Sequence, residues 1–323
     1  AMCAAWLVGG FLQMLIPAVW TYKKGWRFKF DLGKSDELGE LYALFVPALA
    51  GAAIIQVNIF VSKMLALWLN DSAIPALYLA SRLLEFPLGV FTIAIATVFF
   101  PRLSALKASD DAEAHKREYA KGFLMTLAVA IPATFGLVTF APDIIALLFQ
   151  WGVFKARDVD ICTPVVIAAV SGLPFFSIAT FATRGFHSSK DTKTPVKISA
   201  YSFAANIALS LILMKPFGAA GLAAANAGAA ALQAWMLSSK LKLKFGKLGL
   251  VDEVGKIFAA SAVMTLASLG LRAAGAGFFQ GKGLALFSCA AAIPIAACVY
   301  FACLALFKSK LANVALAAII KKK

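Results

Sequence analysis

Apolar runs about as long as a bilayer is thick recur from one end of this chain to the other, broken only by short connectors. At ~1.5 Å rise per residue, a helix of ~20 apolar residues crosses the ~30 Å hydrocarbon layer. Helices are the economical solution there, because backbone N–H and C=O groups facing lipid must be satisfied within their own segment. A β-barrel would instead show alternating segments of ~10 residues, a pattern this chain lacks. Composition agrees: 61% of the residues are apolar and 15% charged, where soluble domains carry ~25% charged residues. The fold class read from the sequence is therefore an all-α polytopic membrane protein with about nine transmembrane helices. The spans are expected near 1–20, 41–69, 74–100, 120–140, 159–183, 196–214, 219–238, 255–272 and 284–307. The second is long enough to tilt or to extend past the hydrocarbon. Short turns at 70–73 and 215–218 imply antiparallel neighbours. Segment 141–150 (APDIIALLFQ) is too short to span and is expected as an amphipathic piece at the interface.

A net charge of +15 raises nucleic acid as a partner, but the positive residues sit in connectors between spans, where the positive-inside rule puts them. Of 31 Lys and Arg, alternate connectors place 24 on one side and five (Lys155, Arg157, Lys215, Arg272, Lys282) on the other. The rich side, which includes the C-terminus, is expected to be cytoplasmic, and no nucleic-acid role is expected. Lys63 and Arg82 fall within spans. Ala1 begins inside an apolar run with no initiator Met and no basic n-region, which is not a signal peptide. The expectation is a chain cut within a span. An odd number of spans would then precede it if the N-terminus of the complete protein is cytoplasmic.

The stretch YLASRLLEFPLGVFTIAIATVFFP (78–101) carries Arg82, Glu85 and Pro87 inside an otherwise apolar span. A charge there is costly and faces a cavity or a partner rather than lipid. Arg82 and Glu85 are three residues apart and share a helix face. Pro87 has no N–H, so the carbonyl of Leu83 loses its helical donor and a kink is expected, with Gly89 as a second hinge residue. Two readings of Arg82 stay open: a structural partner of Glu85 or of the freed carbonyls, or an anion ligand whose planar fork fits phosphate oxygens. Lys63 lies near a span end and can snorkel to the interface.

Other polar residues lie within spans: Gln56, Asn58 and Ser62 in the second, and Ser202, Asn206 and Ser210, four apart on one face, in the sixth. They serve either interhelical hydrogen bonds or a polar cavity or ion site. The span GAAGLAAANAGAAALQAW (218–235) is either a close-packing face or a cavity wall with Asn226 and Gln233 toward water. Catalysis finds little support. The two histidines, His115 and His187, sit in connectors outside any ligand-spaced cluster, and Glu85 is the only acid well inside a span. No enzyme, cofactor or metal is expected. The five cysteines (Cys3, Cys162, Cys289, Cys298, Cys303) show no CxxC spacing and are expected as buried thiols.

Three stretches in this order, YLASRLLEFPLGVFTIAIATVFFPRLS (78–104), LLFQWGVF (147–154) and SSKDTKTPVKI (188–198), resemble the MurJ/MviN family of lipid II flippases. That family lies in the multidrug/oligosaccharidyl-lipid/polysaccharide (MOP) exporter superfamily. The resemblance implies two six-helix lobes around a central cavity, followed by two extra helices. Residues 1–20 would then be the last helix of a truncated N-terminal lobe and 21–40 a cytoplasmic interlobe linker. Residues 41–238 would form the C-terminal six-helix lobe and 239–254 a second cytoplasmic linker. The two extra transmembrane helices would be 255–307, and 308–323 a basic cytoplasmic tail. The implied function, within peptidoglycan biosynthesis and cell-wall organisation, is transport of the undecaprenyl-pyrophosphate-linked precursor across the bacterial inner membrane. The partners implied are that lipid-linked precursor and the phospholipid bilayer. Arg82 matches a cavity arginine that binds the anionic head group, with Glu85 in the same motif. Acidic sodium ligands of some members match Ser62 and Ser210 here, which argues against sodium coupling, and the sequence assigns no other coupling ion. The alternatives are a flippase for another polyprenyl-linked oligosaccharide, a multidrug or cation antiporter of the same superfamily, and a non-transporting membrane scaffold.

Overall fold

The computed structural model describes residues 2–27, 36–69, 72–245, 250–307 and 309. Among them every regular element is helical and no strand occurs. The chain divides into two compact units, Ala1–Leu44 and Phe45–Lys323. The first holds α1 (Met2–Lys23), an apolar helix with Pro17 inside it, closed by Lys24 stacked 5.3 Å from the Trp20 ring centroid. Helix α2 (Asp36–Leu67) runs across the division. Parts of the expected linkers and tail (28–35, 246–249, 308 and 310–323) lie outside the described residues.

The second unit continues with α3 (Ala73–Pro87), α4 (Ile93–Ala108), α5 (Ala112–Phe149), α6 (Ala156–Val170) and α7 (Leu173–His187). It ends with α8 (Lys193–Phe245), α9 (Val251–Ala276), α10 (Lys282–Phe287) and α11 (Ile293–Leu306). Among the described residues, seven helices are long and apolar enough to cross a membrane. Among them, Ala73–Ala108 joins α3 to α4 and Ala156–His187 joins α6 to α7 through a turn at Ser171–Gly172. The span Lys193–Leu241 is interrupted at Gly218, whose φ of 56° and ψ of −133° are not helical. There the chain reverses, as the short turn at 215–218 requires. Counting those two arms apart, and adding α2 with its apolar Gly51–Leu67 stretch, brings the described helices to the nine expected.

Proline shapes two of the spans. Pro87 ends α3, and the ladder slips to a π-turn over Leu88–Thr92 before α4 resumes. Pro87 has no N–H to give to the Leu83 carbonyl, and just beyond it the ladder widens to the i→i+5 pattern, with Ile93 N–H donating to Leu88 C=O. A second π-turn at Ser288–Ala292 leads into α11, whose first turn contains Pro294. The irregularity expected at Pro87 is therefore a π-turn, and the one beside Pro294 is its counterpart.

Long α5 is the post on which the unit is built: α4, α6, α7, α9 and α10 all pack against it. At one level Phe99, Tyr119 and Phe181 form an aromatic cluster, with Tyr119 and Phe181 centroids 5.3 Å apart. At another, α9 and α11 close on α5 through Leu127, Ile131, Ile257, Met264 and Tyr300, and the Tyr300 hydroxyl donates to the Ala128 carbonyl at 2.7 Å.

The interfacial piece expected at 141–150 is a correction. Helix α5 runs straight through Pro142 to Phe149, with Phe140, Ala141, Asp143 and Ile145 buried. Burial of that last turn is rewarded by partners far along the chain. Arg272 on α9 donates from Nε to Asp143 Oδ2 at 2.6 Å and from Nη2 to Oδ1 at 3.3 Å. Losing one partner of a buried pair costs ~3–5 kcal/mol. Arg272 keeps 34% of its side chain exposed, so solvent lowers the cost for Asp143→Ala to about 1–3 kcal/mol. The expected result is a lower melting temperature in detergent, partly restored in the Asp143→Ala/Arg272→Met double variant. The cysteines also differ from expectation: Cys162 is buried, Cys289 and Cys303 half-buried, and Cys298 exposed, all as free thiols. Cys3 falls outside the residues whose side chains are described.

Candidate functional site

Apart from the Asp143–Arg272 pair, two groups of polar side chains stand out within the described spans. The first is the outer face of α3. The inner face buries Ala76, Leu79, Ala80 and Leu83 in a core shared with α5 and α6. At helical spacing on the other side stand Tyr78, Arg82 and Glu85. Arg82 Nη1 donates to Glu85 Oε2 at 2.7 Å, and the two side chains are 54% and 58% exposed. The guanidinium also lies 4.8 Å from the Tyr78 ring centroid, a cation–π distance. Ring and carboxylate therefore hold the fork from two sides. One helical turn on, the π-turn begins, with Pro87 buried and Gly89 exposed. Within it Thr92 is buried and shares a 2.9 Å hydrogen bond with Ser177 of α7, so the irregular segment is tied to the interior of the second unit.

The second place is a cleft of about 640 Å³ between α2, α7 and both arms of α8. On α7, Thr180, Thr183, Arg184 and His187 line it at spacings of three, four and seven. The first arm of α8 contributes Ser199 and Ser202, the second Asn226 and Gln233, and α2 contributes Asn58. Its floor is knitted by hydrogen bonds. Asn206 Nδ2 donates to Asn58 Oδ1 at 2.6 Å. Ser210 Oγ reaches Asn206 Oδ1 at 3.5 Å, the outer limit of a hydrogen bond. Gln233 Nε2 donates to Ser199 Oγ at 3.1 Å, and Ser202 Oγ donates to the Ala229 carbonyl at 2.9 Å.

The structure thus sorts the residues singled out in the sequence. Asn58, Asn206 and Ser210 are one bonded group, and Asn226 lines the same cleft. Ser62 is half-buried one turn from Asn58, while Gln56 is exposed and absent from the cleft wall. Arg82 and Glu85 stand apart on α3. Both uses weighed for the Ala/Gly-rich span are realised: Gly221 and Gly228 sit against Leu213 and Leu209, and Asn226 and Gln233 face the cleft. Sequence reading missed Tyr78 and the polar stripe of α7. The stripe was legible as Thr180, Thr183, Arg184 and His187 on one helical face. Among the described residues no cluster of three or more His, Cys, Asp or Glu has metal-binding geometry.

A family profile described as "Lipid II flippase MurJ" matches residues 1–312. The chain belongs to the lipid II flippase MurJ family. A probable lipid II flippase MurJ of Vibrio cholerae serotype O1 is 35% identical over 269 residues, covering 81% of this chain and 51% of that protein. Its counterpart in Thermotoga maritima is 32% identical over 246 residues, covering 76% and 49%. The chain spans about half the length of the curated relatives it matches. Among solved structures, a lipid II flippase MurJ in an inward closed conformation superposes with a TM-score of 0.72 at 25% identity. That match covers 88% of this chain and 57% of that one. An outward-facing multidrug resistance MATE transporter of the MOP superfamily gives a TM-score of 0.55 at 15% identity over 82% of this chain and 61% of that one, a likeness of fold alone. The chain is a multi-pass membrane protein of this family, and among its described residues one polar group stands on α3 and another lines the α2–α7–α8 cleft.

Proposed function

We propose that this chain is part of a flippase that carries the lipid-linked peptidoglycan precursor from the inner to the outer leaflet of the bacterial cytoplasmic membrane. The observation that carries the reading is a held guanidinium on an apolar span, Arg82 on α3, in a chain matched by the lipid II flippase family over residues 1–312. In this reading residues 41–238 form one lobe of an alternating-access transporter, and the helices of 255–307 are the extra pair packed on α5. Residues 1–20 belong to the other lobe, 21–40 and 239–254 are cytoplasmic linkers, and 308–323 is a cytoplasmic tail. The excess of Lys and Arg in alternate connectors supports that orientation. The protein is a transporter rather than an enzyme: its work is to rock two lobes about a central site while the polyprenyl tail stays in lipid. Arg82 engages the pyrophosphate.

The π-turn at Leu88–Thr92 is the natural bending point of that span, because π-turns interrupt the helical ladder and recur at functional sites. A Cβ on Gly89 would meet nothing within 4 Å. Gly89→Ala is therefore expected to keep or slightly raise the melting temperature, by up to the ~1 kcal/mol that separates Gly from Ala in a helix. A fall in transport at normal membrane levels would mark Gly89 as a hinge, and unchanged transport would remove it from the mechanism.

Complementation tests the whole reading. The full-length gene is placed in bacteria depleted of their own lipid II flippase, and survival and wall precursor distribution are followed. Rescue is expected. Failure to rescue at normal membrane levels would sink the lipid II assignment.

A further inference from the structure

The α2–α7–α8 cleft is unlike the α3 face in its chemistry. Its polar lining is dominated by amides and hydroxyls: Asn58, Thr180, Ser199, Asn226 and Gln233 point into one space. No carboxylate is among the described residues that line it, and its one guanidinium, Arg184, stands where α7 ends. Between the polar groups lie the apolar walls of Phe176 and Phe203. In a membrane-spanning unit such residues are expensive unless a wet cavity or a polar ligand meets them. Three separate helices supply them at helical spacing. At about 640 Å³ the cleft lies within the range of sites that enclose a small organic ligand.

We propose that this cleft is a recess for a hydroxyl-rich, uncharged group: the glycan portion of the head group, held apart from the pyrophosphate that Arg82 engages. Sugar hydroxyls both donate and accept, as Asn and Gln amides and Thr and Ser hydroxyls do. The less polar faces of sugar rings suit aromatic walls such as Phe176 and Phe203. Asn206 is committed to Asn58, and Gln233 to Ser199, so both pairs are pre-positioned. Asn226 lines the cleft with its side chain exposed. The inference rests on the flippase reading above, and its test separates the two.

Two lipids serve as probes with the purified full-length protein in detergent: undecaprenyl pyrophosphate, and the same lipid bearing its disaccharide. Binding of each is measured for wild type, Asn226→Leu, Thr180→Val and Arg82→Ala, with melting temperatures as a folding control. Loss of one hydrogen bond in the recess is expected to weaken the glycosylated lipid about fivefold (~1 kcal/mol) in each recess variant. Binding of the bare pyrophosphate lipid should change less than about twofold in both, while Arg82→Ala weakens both lipids alike. Equal effects of Asn226→Leu on the two lipids, or no effect on either, with Thr180→Val agreeing, would overturn the recess. So would an effect of Asn226→Leu that exists only when sodium is present, which would make the cleft a cation site. Thr180→Val nearly preserves side-chain volume, so it decides the matter even if Asn226→Leu fails to fold. If Arg82→Ala leaves both lipids unaffected, the pyrophosphate assignment fails, yet a glycan-selective loss in the recess variants still supports the recess.

Discussion

Arg82→Ala is expected to abolish rescue of flippase-depleted cells while the protein still reaches the membrane at normal levels. The structural cost of the change should be small. Arg82 lies on the exposed face of α3, its contacts are with Glu85 and Tyr78 of the same helix, and the packed face of Ala76, Leu79, Ala80 and Leu83 is untouched. Exposed ion pairs of this kind contribute little to stability. In the proposed role the functional cost is large, because a guanidinium offers two parallel donors to a phosphate group and cannot lose its proton. Arg82→Lys keeps a charge but not the fork, and a drop in pyrophosphate-lipid affinity of about tenfold is expected. Equal rescue by Arg82→Lys would reduce the residue to a point charge, and full rescue by Arg82→Ala would make it structural.

Glu85 sharpens that experiment. At 2.7 Å from Arg82 Nη1 it occupies part of the fork that a phosphate needs. In the role proposed for Arg82, an incoming pyrophosphate must compete with it. Glu85→Gln removes the competitor's charge while keeping its shape, so it is expected to raise affinity for the bare pyrophosphate lipid several-fold. Lower affinity in Glu85→Gln would mean that the carboxylate orients the guanidinium rather than competing for it.

Much of this architecture was legible in the sequence, for reasons that explain the rest. Span number follows from apolar length, which is a local property, and so does the interruption at Pro87, because the missing N–H belongs to one residue. The continuation of α5 through 141–150 is not local. Pro142 and Asp143 read as a breaker and a charge, and the partner that accommodates Asp143 is Arg272, 129 residues away. The π-turn at Ser288–Ala292 lies just before Pro294, and no distinctive residue within it announces it. In α2, Gln56 and Asn58 are equally polar and two residues apart. Only the rotation of the helix decides that Asn58 meets Asn206 while Gln56 is exposed. The stripe on α7 ends in Arg184 and His187, which resemble the basic connector that follows, so its function as a cleft wall depends on what packs opposite.

Gly221→Ala is expected to be the most destabilising single-methyl addition in the second unit. After the reversal at Gly218, the second arm of α8 returns along the first so closely that a Cβ at Gly221 would collide with the Leu213 carbonyl oxygen and lie 2.6 Å from its carbon. Backbone cannot rotate away as a side chain can, so the two arms must separate. Compare Gly122, where a Cβ would collide with Phe181 Cζ: there the obstacle is a ring edge, which can shift at the expense of the Phe99–Tyr119–Phe181 cluster. Overpacking a tight site costs ~1–3 kcal/mol, and a rigid backbone obstacle puts Gly221→Ala at or above the upper end. Separation of the arms would also stretch the hydrogen bonds that cross between them, Ser202 to Ala229 and Gln233 to Ser199, and with them one wall of the cleft. The measurement is thermal unfolding in detergent for Gly221→Ala, Gly122→Ala and Gly89→Ala side by side. The expected order of loss is Gly221, then Gly122, with Gly89 unchanged. A Gly221→Ala protein as stable as wild type would mean that the arms of α8 stand farther apart than this close approach requires.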